Sequence, residues 1–445
     1  MCSDHTCEHR KRVEELEAEN AKLRAELEKH KKPPKNSSNS SIPPSQDPHR
    51  KPYPKREKSD RKQGGQPGHQ GKYRPFCEAP DKIEPLYPSQ CGHCGSDELE
   101  QLPDVGEIRQ ETTLPPVQAT VTEYRQCKSR CKQCKRVSWG EFPERIQAPQ
   151  EFSPEVEGLI GYLKVAHHQS NAKIQYLLSS LYNLKIHPST VDNMLNRLSE
   201  QFQGEIEQIK SGLQNAFVVG SDETGIRING KKGYQFVFQN WSFCLYISRL
   251  SRAYKVIEDT FGENFPKVWV SDRYGAQLKT PCRHQLCLAH LLRECRYLIE
   301  AEQSEWARDL KQLLQEAMEL RKSTGEEYDP LEPDTFRHIR AIESQLSHIF
   351  SKPPPKELEH KLFKGLGCRQ DELLAFLHDP DIPPDNNRSE QALRNRKTHL
   401  KVIGTFRSEH GVKRVDILAS IIETAKRQGK NALDVLSGRT LLFPV

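Results

Sequence analysis

The sequence predicts an α/β fold on three observations. Residues 217–228 form an apolar run that climbs to an acid, Asp222, and continues with strand-like character. Asn229-Gly230, two residues that tolerate positive φ, links that run to a second one at 234–238, as a hairpin turn would. A third strand at 242–247 and a short helix at 253–261 then lead to a fourth strand, 267–272, which also ends in an acid, Asp272. Three antiparallel strands, a helix and further strands are the element order of a ribonuclease-H-like fold. In that order the first and fourth strands are neighbours, and Asp222 and Asp272 face each other. An isolated charge on a core strand is costly. Two facing carboxylates repel unless a cation lies between them, and hard oxygen ligands with open positions suit Mg²⁺.

Composition places this core within a longer assembly of parts. The chain has 445 residues, only 35% of them hydrophobic, and a mean hydropathy of −0.80. Several domains are expected, with part of the chain extended or solvated. No apolar run approaches the roughly 20 residues that span a bilayer, and residues 1–7 lack the apolar core of a signal peptide. A cytoplasmic protein is the expectation. In that compartment, 13 cysteines point to metal ligands and buried thiols rather than disulfides.

Residues 1–32 are expected to form a coiled coil. Val13, Asn20 and Leu27 fall at a positions and Leu16, Leu23 and His30 at d, with oppositely charged pairs such as Arg12/Glu17 and Glu26/Lys31 across g and e. A parallel homodimer is implied. Residues 33–75 are rich in Pro, Ser, Lys and Arg and poor in apolar and acidic residues. This stretch reads as a disordered basic linker, with a charge that suits a phosphate backbone. In residues 76–150, Cys91-x-x-Cys94 and Cys131-x-x-Cys134 supply four thiolates for one tetrahedral Zn²⁺, as in a zinc ribbon. Residues 119–124 resemble one of its strands, and His93 and Cys127 stand as alternative ligands. Residues 151–210 are helical by period. Ile174, Leu177, Leu178 and Leu181 share one face, and a second helix starts near Pro188 with Ser189 as its cap. Such a pair resembles a helix-turn-helix, a second candidate for DNA contact.

The core occupies residues 211–300, with a fifth strand at 284–288 that leads into a helix carrying Arg293, and resumes at 383–430. Between them, 301–382 keep a helical period through Trp306, Leu310, Leu313, Leu314, Ala317 and Leu320, and again through Phe336, Ile339, Ile342, Leu346 and Ile349. A structureless loop of that length is improbable, so a helical insertion broken at 353–355 by three prolines is expected. After Pro383-Pro384, Asp385 can cap a helix that sets Glu390, Arg394 and Lys397 on one face. Glu390 completes a set of three acids, with cations beside it suited to phosphate. A last amphipathic helix, 414–428, should pack Ile417, Leu418, Ile421 and Ile422 on the sheet, leaving 431–445 as a tail.

Four stretches carry a resemblance: Ser221-Asp-Glu-Thr224, Val270-Ser-Asp-Arg-Tyr-Gly275, Cys287-Leu-Ala-His290 and Asp385-Asn-Asn-Arg-Ser-Glu-Gln-Ala-Leu-Arg394. They are similar to motifs of insertion-sequence-66 transposases with a DDE catalytic domain, and the likeness runs over almost the whole chain. It implies that Asp222, Asp272 and Glu390 are the catalytic triad, with Lys397 the basic residue seven positions beyond the glutamate. The implied reaction is two-metal cleavage at the ends of a mobile element, followed by joining of the freed 3′-OH to target DNA. The implied partners are terminal inverted repeats, target DNA, a second protomer and accessory proteins of the element. Cys287 and His290 are expected to pack locally or touch a metal weakly. A nuclease or resolvase without strand transfer, and an inactive zinc-dependent DNA-binding regulator, are the competing readings.

Overall fold

The structure is a computed structural model. It describes residues 75–443 except 104, 105, 116 and 150, together with 33–40 and the separate positions 13, 16, 17, 19, 20, 22, 23, 42, 47 and 48. Val13, Leu16, Asn20 and Leu23 are helical and exposed, but the predicted pairing of helices lies largely outside the described residues.

A five-stranded mixed sheet dominates. Its strands are β3 (Val218–Ile228), β4 (Lys231–Gln239), β5 (Cys244–Arg249), β6 (Val268–Ser271) and β7 (Arg283–Leu286), in the order β5-β4-β3-β6-β7. β3, β4 and β5 form an antiparallel meander, while β6 and β7 run parallel to β3. The β3–β4 turn uses Asn229 and Gly230 at φ 48° and 74°, the left-handed pair that a tight hairpin needs.

Both faces of the sheet are covered, as parallel strands require. Val219 and Trp269 pack into one core, whereas Val268 and Val270 pack into the other. The first core joins helices α1 (Pro154–Val165), α2 (Asn171–Tyr182), α3 (Pro188–Gln201) and α4 (Gln203–Gln214) to α5 (Lys255–Phe261). Phe238, Phe261, Phe265 and Trp269 hold α5 to the sheet through ring contacts of 5.2–6.4 Å. The second core gathers α6 (Leu288–Glu302), α7 (Glu305–Thr324), α8 (Pro333–Ile349), α9 (Glu357–Gly367) and α10 (Asp371–Leu374). Helices α7 to α10 lie in the stretch expected to be a helical insertion, and the three prolines separate α8 from α9. Phe336 departs from the expectation: it is 49% exposed.

The chain closes with α11 (Asn387–Ile403), α12 (Glu409–Arg427) and α13 (Ala432–Leu436). Helix α12 covers the edge strand β5. Ser420 Oγ accepts the Tyr246 amide at 2.9 Å, and Thr424 Oγ1 the Cys244 amide at 3.1 Å. Backbone donors on a sheet edge otherwise invite pairing with another chain, and here two hydroxyls satisfy them.

Several local expectations are corrected. Residues 119–124 form no strand; the Ala119 amide instead bonds the Tyr182 carbonyl at 3.1 Å, at the end of α2. His187, not Ser189, caps α3: its ring Nδ1 accepts the Ser189 amide, and Pro188 takes the first helical position, where no N–H is needed. Leu181 is 57% exposed and leaves the α2 core face to Ile174 and Leu178. Residues 33–40 are not a featureless linker but a turn structure held by side-chain hydrogen bonds. The tail carries the helix α13, whose Val435 and Leu436 are buried.

Candidate active site

Strand pairing leads up to the two aspartates. Val218 pairs with Val268, Val219 with Trp269 and Gly220 with Val270. Asp222 lies two residues beyond this pairing on β3, and Asp272 two residues beyond it in the turn after β6. Burial pushes the Asp222 carboxyl up to about 7; Glu223 and Asp272 push the same way, while a 2.8 Å hydrogen bond from the Glu223 amide and the charge of Lys397 oppose them. The Asp272 carboxylate accepts the Tyr274 amide at 2.9 Å, which fixes it at the turn after β6.

Alternation along β3 separates Asp222 from its neighbour. Glu223 lies on the Trp269 side, where Gln277 donates to its carboxylate at 2.7 Å and accepts from the Trp269 indole at 3.0 Å. Arg252 forms an ion pair with Glu223 and stacks 3.6 Å from the centre of the Tyr274 ring. Glu223 is therefore committed to two protein partners, whereas the Asp222 carboxylate accepts only the neighbouring Glu223 amide among the described contacts.

Helix α11 brings Glu390 to the same side of the sheet. Asn386 is its N-cap residue, and Asp385, expected in that role, instead accepts the Asn387 amide at 3.0 Å one residue earlier. The Asn386 side chain donates to the Ser221 carbonyl at 2.6 Å and accepts from the Ser389 hydroxyl at 2.6 Å. This close approach needs a glycine at 220. A Cβ there would stand 2.9 Å from Asn386 Oδ1 and Ser389 Oγ and 2.5 Å from Gln239 Nε2.

Glu390 Oε1 lies 3.8 Å from His290 Nε2 and 3.6 Å from Arg293 Nη2. It is buried with no hydrogen-bond partner, an expensive state for a carboxylate oxygen. Burial lowers the His290 pKa, as does Arg293; Glu390 and Asp272 both oppose the shift. His290 thus stands where it feels both acids. Cys287 is buried at the start of α6, its sulfur accepting the Asn386 amide at 3.2 Å and lying 3.4 Å from His290 Nδ1. The Cys-x-x-His motif ties α6 to the head of α11.

A buried carboxylate oxygen without a hydrogen bond and two neighbouring aspartates are hard oxygen donors of the kind that suit a divalent cation. Among the described residues, no three His, Cys, Asp or Glu side chains are gathered closely enough to share one ion. Asp222 and Asp272 form one part of the site and Glu390 with His290 and Arg293 another. Arg394 and Lys397 are both exposed on α11.

Residues 75–149 are built differently. Their apolar side chains are largely exposed, Leu86 at 92%, Leu114 at 94% and Val121 at 90%. Two three-residue strands, β1 (Lys128–Arg130) and β2 (Val137–Trp139), flank the second cysteine pair. Each pair forms its own knuckle. Gly95 and Lys135 follow the second cysteines in left-handed conformation and donate to the carbonyls of Cys91 and Cys131 at 2.9 and 3.0 Å. Hydrogen bonds from the Cys94 and His93 amides lower the Cys91 thiol pKa, and those from the Cys134 and Gln133 amides lower that of Cys131. Paired turns that favour thiolate fit zinc. The two knuckles are not brought into one cluster, and neither His93 nor Cys127 joins them.

Sequence reasoning left several neighbours of the acids unassigned. His290 and Arg293 sit three apart on one helix and therefore share a face, a signal that could have paired both with Glu390. Gln277 and Arg252 carry no such signal, because only the folded segments after β6 and after β5 bring them to Glu223.

Comparison with known proteins agrees with this layout. A family model described as the transposase IS66 family matches residues 150–414. A second, the zinc-finger binding domain of transposase IS66, matches residues 88–135. A third, a family of unknown function, matches residues 4–75. An uncharacterized protein, y4jO of Sinorhizobium fredii (strain NBRC 101917 / NGR234), is 34% identical over 99 residues, 22% of this chain and 31% of that protein. The chain thus spans about a third of the length of this curated relative.

Proposed function

Since the chain belongs to the IS66 transposase family, we propose that it cleaves DNA at the ends of an insertion element and joins the freed ends to target DNA. The sheet order, with an antiparallel meander beside two parallel strands, supports a ribonuclease-H-like core. The observations that carry the reading are the parallel register of β3 and β6, which ends two residues short of Asp222 and Asp272, the charge of Asp272 acting on Asp222, and a neighbouring helix whose Glu390 Oε1 is buried without a hydrogen bond.

In this reading Asp222, Asp272 and Glu390 hold a pair of Mg²⁺ ions. Bound there, the ions would supply Lewis acidity at the phosphate and a nucleophile at neutral pH. The remaining work falls to the chain's own groups. Lys397 and Arg394 on α11 bind the DNA backbone beside the scissile phosphate, and Arg293 and His290 hold Glu390 in place. Glu223, engaged by Arg252 and Gln277, braces the strand rather than ligating. Brought together, the cysteine knuckles would hold a structural Zn²⁺ with Cys91, Cys94, Cys131 and Cys134, and no catalytic role follows from a site filled by four thiolates. The helix pair α2–α3 and the N-terminal part contact the element ends, with two protomers pairing two ends.

Asp222→Asn tests the assignment. The amide keeps the shape and loses the charge, so Mg²⁺-dependent cleavage of end DNA should fall by several orders of magnitude while binding of that DNA stays within about twofold. Cleavage at the wild-type rate would refute it.

A further inference from the structure

Residues 33–40 and Ile42, which composition assigns to a linker, are folded against the catalytic core. Asn36 Oδ1 accepts the Ser38 amide at 2.8 Å, the Ser38 hydroxyl at 2.6 Å and the Asn39 amide at 3.2 Å. In return, Asn39 Oδ1 accepts the Asn36 amide at 2.8 Å. Asp47 folds back to take both the amide and the hydroxyl of Ser37 at 2.7 Å. Short polar side chains that bond nearby backbone in this way stabilise turns without an apolar core.

This knot is docked on one face of α6. Asn39 is only 1% exposed, and its amide donates to Glu300 Oε2 at 2.7 Å. Arg296 donates to the Ser38 carbonyl at 3.2 Å, and the Lys35 ammonium lies 5.2 Å from the centre of the Tyr297 ring. The same helix carries His290 and Arg293, the two groups nearest Glu390. A buried asparagine bonded to a glutamate more than 250 residues away is a specific contact, since the Asn39 amide would otherwise be buried with one partner fewer.

Between the strap and the core lies a cavity of about 1010 Å³. Asn39, Ser40 and Ile42 line it on the strap side, and Asp272 and His290 open into it from the site described above. Four cations, Lys35, Arg252, Arg273 and Lys361, share it with two rings, Tyr274 and Tyr297. Cations for phosphates and aromatic faces for bases are the chemistry of single-strand binding. The volume is at the upper end of small-ligand pockets, room for a short unpaired strand but not a duplex.

We propose that residues 33–40, with Ile42, form a strap that walls this cavity, and that the cavity takes the unpaired end of the DNA substrate and leads it to Asp272. The inference rests on the reading of Asp272 as part of a DNA-cleaving centre. The strap is then a wall of the binding cleft rather than a plug in it.

The test uses the full chain without divalent metal, so that binding is read apart from cleavage. Hydrogen exchange of the 33–42 peptide should be slow in the wild type and fast in Asn39→Ala. Affinity for an oligonucleotide duplex with a 3′ overhang, measured by fluorescence anisotropy, should drop about tenfold in both Asn39→Ala and Lys35→Ala. Affinity for the blunt duplex should not change. Lys35→Ala leaves the knot intact and guards against a mere loss of structure. A strap that exchanges as fast as an open chain in the wild type overturns the proposal, as do variants that bind the overhang as tightly as, or more tightly than, the wild type. Failure of the acids' assignment would appear separately, as cleavage persisting in Asp222→Asn with the overhang preference intact.

Discussion

Arg396 shows how much a single side chain can demand of its surroundings. It is 1% exposed on α11, burying a guanidinium is costly unless it is partnered, and its Nη2 is buried without a hydrogen-bond partner. Its Nε donates to Gln235 at 3.3 Å, its Nη1 to His399 Nδ1 at 3.1 Å, and Asp416 on α12 supplies the opposing charge. Because arginine only donates, His399 must accept at Nδ1 and stay neutral. Burial, then Arg396 and the stacked His168, push its pKa down to about 3. The unfolded chain, with histidine near 6.5, binds the proton first, so stability falls as pH drops from about 6.5 toward 3. By pH 5 this residue alone should cost about 2 kcal/mol. Asp416 works in the opposite sense: burial raises it to about 6, so its contribution falls as pH rises from about 4 to 6. Replacing His399 with Gln keeps an acceptor and removes the proton. Denaturant titrations at pH 7 and 5 should then show a smaller acid loss than in the wild type, and an unchanged loss would exclude His399 as its source.

At the scale of elements, the helix that carries Glu390 is positioned by what β3 lacks. Gly220 lets Asn386 and Ser389 close on the strand, so Gly220→Ala should cost about 1–3 kcal/mol by overpacking. It should also lower cleavage more than Asn387→Ala, a change at the exposed start of the same helix. Melting and cleavage assays on both variants decide this, and equal activities would show that the close approach is dispensable. The zinc-finger part makes the complementary point. With its apolar side chains largely in solvent, it has little but metal to hold it. A strong chelator should therefore make residues 75–149 sensitive to protease while the sheet domain melts at its former temperature. Protease resistance that survives chelation would contradict a structural zinc.

For the whole molecule, the sheet was legible because its signals are local. The apolar run to Asp222, the Asn-Gly turn and the second strand-end acid each lie within a dozen residues, and periodicity alone revealed α7 and α8. What escaped was non-local. Nothing near Asn39 announces Glu300, and no pattern at 277 announces Glu223, because both pairs exist only once the sheet and α6 are assembled. Residues 119–124 misled for a related reason: β-branched residues look like a strand wherever they occur, but a strand needs a partner, and here none pairs with them. Alternation along β3 was readable, and with it the opposite placement of Asp222 and Glu223; their division of labour was not, because it depends on Arg252 and Lys397 arriving from elsewhere.

These scales meet in one measurement. Purified protein, Mg²⁺ and labelled element-end DNA should yield both cleaved strands and products joined to a target plasmid. Asp222→Asn, Asp272→Asn and Glu390→Gln should each bind the end DNA and yield neither product. Joined product from any of the three variants, or wild-type product formed equally well without divalent metal, would contradict the account.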